Sequence, residues 1–264
     1  MEKVTYIMPV HEFNDTVKGY MTKAFKSVEE LKGAETSEIL FVGDLETIIK
    51  AQQLFNEVVS KDNTQIVTLV PTDEKDLFKK INLAVTKSTT PYFSVVEFDD
   101  VYYPYWNEVA QRYLKENQYS IVMPFNEIMS PDGTVIGLAN EISWDAAFIG
   151  EANLGFLKVE DLLIFKDFIV SGSFINRKDF IELGMLEPSY KIAAWYDYLL
   201  KTVSSGKEIF VAPRIGYKHT VAREGSYLAT IANELSTEEG AKIIQEVISK
   251  YKKPEIADVN TEQE

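Results

Sequence analysis

The first 100 residues alternate between short apolar runs and segments in which apolar residues recur with helical spacing. The apolar runs lie at 4–10, 39–42, 66–70 and 92–96, and the helical segments between them lie at 15–32, 45–60 and 77–85. Strands that alternate with helices in this way form a parallel sheet with helices on both faces. The alternation therefore predicts an α/β fold built on a mixed, mostly parallel sheet.

The second part of the chain continues with strands and helices in a less regular order. A turn at 130–133 (SPDG) separates two expected hairpin arms. Strands are expected at 120–124, 134–138, 169–176 and 209–212, and helices at 105–116, 177–183, 191–203 and 236–251. Because the chain shows no repeat and no low-complexity linker, we expect one domain over residues 1–252. The polar residues 253–264 are predicted to form a disordered tail.

The composition excludes several classes of function. Acidic residues outnumber basic ones by 41 to 27, which gives a net charge of -14 that repels nucleic acid and anionic membranes. The absence of cysteine excludes disulfides, thiolate metal sites and cysteine nucleophiles. It fits a reducing compartment, so we expect a cytoplasmic protein. No apolar run approaches the ~20 residues of a membrane span.

Polar residues follow the expected strands where each strand ends. His11 and Glu12 follow the first strand, Asp44 follows the second, and the acidic segment 97–100 (EFDD) follows the fourth. Because ligands of open α/β sheets bind beyond the carboxyl ends of the strands, these residues are expected to frame one site.

The segment 97–100 offers the clearest metal-binding pattern. If this segment is extended, alternation sends Glu97 and Asp99 to the same side. Two carboxylates so spaced can bind Mg²⁺ or Mn²⁺, which accept oxygen ligands and can bridge them to a diphosphate. The alternative is a solvated loop or a helix cap, since acidic residues are frequent throughout this chain.

A series of motifs in the first half resembles the GT-A glycosyltransferases of the large inverting family 2. In that family, the first strand ends in apolar residues, proline and polar residues, and the second strand ends in aspartates. The third helix carries Ala-Arg-Asn, and the fourth strand ends in Asp-x-Asp-Asp. The matching segments here are 7–12 (IMPVHE), 40–44 (LFVGD), 79–82 (KKIN) and 97–100 (EFDD). Glu97 and Gly43 stand where the family has aspartate.

The second half resembles the same family in the same order. The matching segments are 171–177 (SGSFINR), 180–186 (FIELGML), 195–201 (WYDYLLK), 206–213 (GKEIFVAP) and 217–219 (YKH). Tyr196 replaces the glutamate of the family's Glu-Asp pair. The resemblance covers residues 4–226 and implies a GT-A domain. It divides that domain into a nucleotide-binding half at 1–104, an acceptor-binding half at 105–235 and a C-terminal helix at 236–252.

The resemblance implies a metal-dependent transfer of sugar, with inversion, from a nucleoside-diphosphate sugar such as a UDP-sugar to an acceptor hydroxyl. By analogy, the nucleotide would contact Pro9, His11, Glu12, Asp44, Asn82 and Glu97. The cation, Mn²⁺ or Mg²⁺, would be bound by Asp99 and His219. The diphosphate would contact Lys218 and Arg223.

For the acceptor, a glycan, a protein or a small molecule, the resemblance implies the aromatic residues Trp144, Trp195 and Tyr196. Asp197 would be the general base that takes the proton of the acceptor hydroxyl. Each assignment has a structural alternative. Asp44 can cap the helix that follows it, Asp197 can be a surface residue in the first turn of its helix, and Trp144 can anchor a packed loop.

Two other functions stay open at this point. The departures at Gly43 and Tyr196 favour an inactive GT-A-like domain that serves as a binding or structural module, for example in a virus particle. A nucleotidyltransferase would need a glycine-rich loop and a lysine near the first strand, where this chain has 11–14 (HEFN).

Overall fold

A computed structural model describes residues 2–34, 37–223, 225, 226, 230 and 237–252. The expected tail at 253–264 lies outside the described residues. Within these residues, nine strands form one mixed sheet, and helices pack on both of its faces. This confirms the predicted α/β architecture.

The first part of the chain forms the parallel half of the sheet, in the order β3-β2-β1-β4. The strands are β1 (Val4–Pro9), β2 (Glu38–Gly43), β3 (Ile66–Pro71) and β4 (Tyr92–Val95), and the helices are α1 (Asp15–Glu29), α2 (Leu45–Val58) and α3 (Leu77–Lys87). Asn14, Asp44 and Asp76 cap the three helices by accepting a backbone N–H of the first turn. These caps fix where the chain leaves each strand end.

The later strands extend this sheet beyond β4, in the order β4-β8-β6-β9-β5, and β7 pairs with β6. They are β5 (Val101–Tyr102), β6 (Ile121–Met129), β7 (Val135–Ala139), β8 (Phe174–Asn176) and β9 (Ile209–Thr220). The helices are α4 (Trp106–Glu116), α5 (Val159–Ile164), α6 (Arg177–Glu182), α7 (Ala194–Ser204) and α8 (Thr237–Tyr251). β8 runs antiparallel to both of its neighbours, whereas β9 runs parallel to β6.

Four strands differ from the sequence prediction. β6 and β9 both continue past a proline, Pro124 and Pro213, because the register between them shifts at these points and the prolines sit in the irregular stretch. The strand expected at 169–176 is reduced to β8. β5 was not predicted, since its two residues become a strand only by pairing with the end of β9.

Two apolar layers hold the sheet in place. One lies between the sheet and α1, α2 and α4, and the other lies between the sheet and α3, α5, α6, α7 and α8. Trp106 is fully buried in the first layer and donates its indole N–H to the Gly172 carbonyl at 2.9 Å. Gly172 has φ +80°, and an added Cβ would lie 2.5 Å from Cγ of Tyr217. The chain can pass close to β9 here only because residue 172 is glycine.

No helix in the described part of the chain combines the length and the apolar character that crossing a bilayer requires.

Candidate functional site

A cavity of about 170 Å³ lies at the carboxyl ends of β1 and β4, between α3, the segment 166–171 and the start of α7. Its lining brings together predicted residues from the nucleotide, metal, diphosphate and acceptor sets. These are Pro9, His11, Glu97, Asp99, Trp195, Tyr196, His219 and Arg223. Polar residues beyond the strand ends therefore line one cavity, as expected. Residues that follow β9 in the chain complete the lining.

The segment 97–100 is a turn and not an extended strand. The Asp100 N–H donates to the Glu97 carbonyl at 3.1 Å, so the side chains of residues 97 and 100 converge. His219 completes the group, with its Nδ1 2.9 Å from Oδ2 of Asp100 and 3.9 Å from Oε1 of Glu97. One ligand atom from each of the three residues lies within 4.8 Å of the other two. We call Glu97, Asp100 and His219 the acidic-His triad.

Each member of the acidic-His triad is held by a neighbour. Asp100 is fully buried and accepts the backbone N–H of Thr220 at 2.7 Å. Glu97 accepts the Ser171 hydroxyl at 2.7 Å. These contacts come from the end of β9 and from the segment before β8, so the geometry depends on strands that are distant in sequence.

The electrostatics of the acidic-His triad follow from burial and mutual contact. Burial, reinforced by the negative charge of Asp100, raises the pKa of Glu97 to about 7. Burial alone would lower the pKa of His219, but the charge and hydrogen bond of Asp100 outweigh it and raise that pKa to about 10. In the absence of a cation, His219 is therefore a protonated imidazolium paired with Asp100 at neutral pH.

Asp99 is turned away from the acidic-His triad and is paired with Arg223. The guanidinium Nε lies 2.6 Å from Oδ2 of Asp99, and Nη1 lies 3.0 Å from Oε1 of Glu12. The guanidinium also lies over the ring of Phe98, 4.9 Å from its centroid. Ala222 and Gly225, on either side, have φ values of 58° and 76°. The chain after β9 thus turns sharply to bring one cation onto two carboxylates.

His11 lies at the end of β1 beside the ring of Phe98, with the ring centroids 5.0 Å apart. Its Nε2 atom is buried without a hydrogen-bond partner. Burial lowers the pKa of His11, and the opposing effect of Glu12 is smaller. A neutral imidazole therefore lines the cavity, with its Nε2 3.5 Å from Oε1 of Glu12.

Two residues assigned to the nucleotide are used elsewhere. Asp44 caps α2 and accepts the Thr47 N–H at 3.0 Å, which is the structural alternative set out above. Asn82 lies in α3 and exchanges two hydrogen bonds with the backbone of Leu186, at 2.9 and 3.1 Å. Neither residue lines the cavity. Both ends of the Asn82 amide are bound by the chain, so its assignment to the nucleotide stays a prediction without support from this geometry.

Lys218 and Trp144 also lie outside the cavity lining. Successive residues of a strand point to opposite faces, so Lys218 points away from His219. Its ammonium lies over the ring of Tyr103 at 4.9 Å and 3.8 Å from Glu127. The Trp144 indole donates to the Val211 carbonyl at 2.7 Å and packs on Phe210. The diphosphate role of Lys218 and the acceptor role of Trp144 stay predictions that these contacts do not favour.

Asp197 lies in the first turn of α7, on the side turned away from the cavity. Its carboxylate is 1% exposed and lies 3.5 Å from the Lys201 ammonium, 3.3 Å from the Lys250 ammonium and 3.0 Å from the Tyr251 hydroxyl. These contacts enclose the carboxylate and tie α7 to α8. The assignment of Asp197 as general base stays a prediction, which its present surroundings do not favour.

Sequence reasoning missed Asp100 and Ser171 as members of the site. Asp100 was inside the recognised motif, but alternation along an extended segment placed Asp99 and not Asp100 beside Glu97. Ser171 directly precedes Gly172, whose backbone is left-handed in the structure. A glycine at this position was the sequence signal for a close approach between segments.

The fold of this chain is similar to the folds of several solved structures. No family model and no curated protein matches the sequence. Among solved structures, residues 1–349 of S. aureus TarS in complex with UDP-GlcNAc align with a TM-score of 0.64 at 12% identity, over 93% of this chain and 65% of that one. The mannosyltransferase PcManGT from Pyrobaculum calidifontis, in complex with GDP-Man and Mn²⁺, aligns with a TM-score of 0.66 at 13% identity, over 96% and 66%.

The chain has a GT-A fold. It spans about two thirds of the TarS fragment and 43% of the longer S. aureus TarS chain. The resemblance inferred from short motifs is thus confirmed at the level of architecture.

Proposed function

We propose that this GT-A chain is a divalent-cation-dependent glycosyltransferase that transfers a sugar from a nucleoside-diphosphate sugar to an acceptor hydroxyl. The observation that carries the proposal is the acidic-His triad at the carboxyl end of β4, where α/β sheets bind ligands. The similar structures of TarS and PcManGT contain nucleotide sugars, and that of PcManGT also contains Mn²⁺. These findings support the same donor class for this chain.

The acidic-His triad fits a hard or borderline divalent cation. Two carboxylate oxygens and one imidazole nitrogen suit Mn²⁺, and carboxylates suit Mg²⁺. A bound cation would neutralise negative charge on the departing nucleoside diphosphate. His219 must lose its proton to become a ligand, so cation binding is expected to weaken at low pH. Asp99 can join the ligands when Arg223 leaves it.

The remaining polar residues of the cavity suit the donor. The guanidinium fork of Arg223 matches phosphate oxygens, and a diphosphate would replace Asp99 or Glu12 as its partner. His11 lines the cavity at the end of β1, where the nucleoside would lie. We propose uracil as the preferred base, which the UDP-GlcNAc in the similar TarS structure supports, and inversion as the stereochemical course, which rests on the resemblance to family 2. With Asp197 enclosed and Glu97 assigned to the cation, Asp99 is the carboxylate in the described cavity lining that can receive the acceptor proton, once Arg223 has left it.

Isothermal titration with UDP and GDP, each in Mn²⁺ or in EDTA, tests the donor part of the proposal. We expect UDP to bind more tightly than GDP, and only with Mn²⁺. The variant Glu97→Gln should lose most of the Mn²⁺-dependent affinity. The control Glu127→Gln changes a carboxylate outside the cavity and should bind like the parent. Equal binding of UDP in Mn²⁺ and EDTA would exclude this metal site.

One observation favours a second candidate, an inactive GT-A domain that binds a nucleotide sugar without transferring it. The residue matched to the family's base, Asp197, is enclosed by three partners and the cavity wall beside it presents Trp195 and Tyr196. Incubation with UDP-sugars and a broad acceptor panel separates the two candidates. Inverted linkage in the product, measured by NMR, supports the enzyme, whereas binding without transfer or hydrolysis supports the binding module.

A further inference from the structure

The cavity has walls of two chemical kinds. Glu97, Asp99, His219 and Arg223 contribute most of its charged groups, whereas α3, the segment 166–170 and the start of α7 contribute mostly apolar side chains, with Lys166 as the charged exception. We call the second part the apolar pouch and define it by Phe78, Ile81, Phe168, Ile192, Trp195 and Tyr196. A pocket that combines an apolar body with a few polar groups is the usual form of a small-molecule site.

The apolar pouch offers few polar groups to a ligand, chiefly the Trp195 indole N–H and the Lys166 ammonium. The Tyr196 hydroxyl donates to the Leu162 carbonyl at 3.0 Å, so this residue presents its ring and not its hydroxyl. Lys166 is the charged residue of these walls, and its ammonium lies 3.4 Å from the Leu163 carbonyl. A fully hydroxylated sugar ring in the pouch would leave hydroxyls without partners, which costs binding free energy.

The whole cavity, its charged end included, is small, so the apolar pouch within it can hold at most one ring. The cavity volume of about 170 Å³ is close to that of apolar protein cavities of ~150 Å³ that accommodate benzene. Ile192 is 36% exposed and lies one residue after Lys191, whose φ of 46° interrupts the short helix at 188–193. This break leaves an apolar side chain at the cavity wall in contact with solvent.

We propose that the apolar pouch binds the acceptor through an apolar six-membered ring, such as an aryl group attached to the part that carries the reacting hydroxyl. This inference rests on the proposed function, because it takes the carboxylate end of the cavity as the place of transfer. Glu97 and Asp99 line the same cavity, so a ring in the pouch brings its attached hydroxyl group toward them. The nucleotide is expected at the ends of β1 and β2, so donor and acceptor do not compete.

Titration calorimetry on the full-length protein tests the inference with phenyl β-D-glucopyranoside and methyl β-D-glucopyranoside, with and without UDP and Mn²⁺. The two probes share the sugar and differ in the ring. Burial of the phenyl group should make the phenyl glucoside bind at least ~10-fold more tightly. UDP with Mn²⁺ should not displace it.

Two matched variants test whether the preference for the phenyl glucoside arises in the apolar pouch. Ile192→Ser changes the pouch at a partly exposed position, so the protein should still fold, and the phenyl preference should fall to below ~3-fold. Ile164→Ser changes an isoleucine that is 69% exposed and outside the cavity lining, and it should keep the preference. Equal binding of the two glucosides, displacement by UDP with Mn²⁺, or an unchanged preference in Ile192→Ser would overturn the inference.

Failure of the proposed function and failure of the apolar pouch give different results in these titrations. Binding of UDP with Mn²⁺ but no phenyl preference removes the pouch and leaves the proposed function in place. In the opposite case, the protein binds neither UDP nor GDP with Mn²⁺, but it prefers the phenyl glucoside and Ile192→Ser lowers that preference. This result supports the ring site and removes the glycosyltransferase proposal.

Discussion

At the scale of single residues, two side-chain cations balance the carboxylates of the site. Arg223 pairs with Asp99 and Glu12, and His219 pairs with Asp100 and approaches Glu97. A divalent cation must therefore compete with charges that the chain itself supplies. Removing either cation should change how the site binds a metal or responds to pH.

The variant Arg223→Gln should bind Mn²⁺ more tightly than the parent when no nucleotide is present. Asp99 and Glu12 lose their partner, and an uncompensated carboxylate pair attracts a divalent cation more strongly. We expect the Mn²⁺ dissociation constant to fall by roughly 10-fold, which corresponds to about 1.4 kcal/mol. Calorimetry or electron paramagnetic resonance measures it. Arg214→Gln, at an exposed position of β9, is the control, and equal Mn²⁺ affinity in the two variants would argue against the competition.

The pairing of His219 with Asp100 should make the metal-free protein less stable at alkaline pH. The folded-state pKa of about 10 lies above the ordinary value of 6.5, so the stabilisation is fully present below pH 6.5 and is lost as the pH rises through 10. Glu97 titrates near pH 7 and contributes little change above pH 8. Urea unfolding in EDTA between pH 8 and 10 should show this decline, and His219→Gln should show a smaller one. Parallel pH profiles for parent and variant would contradict the pairing.

At the scale of secondary-structure elements, the junction of α7 and α8 rests on one buried carboxylate. Asp197 of α7 contacts Lys250 and Tyr251 of α8, while Lys201 contacts it from within α7. Trp195 and Tyr196, its neighbours in sequence, face the cavity. The same helical turn therefore presents aromatic rings to the ligand side and a charge to the helix behind it.

Asp197→Asn should lower the stability of the fold and leave nucleotide binding unchanged. Removal of one partner from a buried ion pair leaves the other charges uncompensated, and we expect a loss of about 2–4 kcal/mol in the free energy of unfolding. Urea unfolding and UDP–Mn²⁺ titration measure the two effects. Asp167→Asn, at an exposed position, is the control. If Asp197→Asn instead abolished transfer at parental stability, Asp197 would act in catalysis and not in packing.

At the scale of the whole molecule, the sheet order joins the two halves of the chain. β8, which is late in sequence, lies between β4 of the first half and β6 of the second. The cavity is likewise lined by residues from both halves. Neither half can complete its sheet or the site without the other.

This topology predicts one cooperative unfolding transition for the whole chain. The tryptophans at 106, 144 and 195 all lie in the second half, so their fluorescence reports on that half alone. Far-UV circular dichroism reports on both halves. The two signals should give the same midpoint in urea, because a shared sheet unfolds as a unit. Separated midpoints would show that residues 1–104 and 105–252 are independent domains.

The sequence by itself determined the elements of the first half and the rim on which the site lies. Apolar runs such as 4–10 and 92–96 indicate strands without knowledge of the neighbouring strand. The helix caps at Asn14, Asp44 and Asp76 are also local, because each contacts the first turn of its own helix. Parallel strands bring their carboxyl ends to one edge whatever their detailed packing. The fold class and the location of the site followed from these local features.

Only the tertiary structure decided which side chains meet at that rim. Asp100 and not Asp99 faces His219, because the 97–100 segment turns and because Thr220 of β9 holds the Asp100 carboxylate. Asp197 points to α8, an element that is 40 or more residues further along the chain. Such contacts depend on long-range packing and on the direction of each side chain, and local sequence patterns encode neither of these.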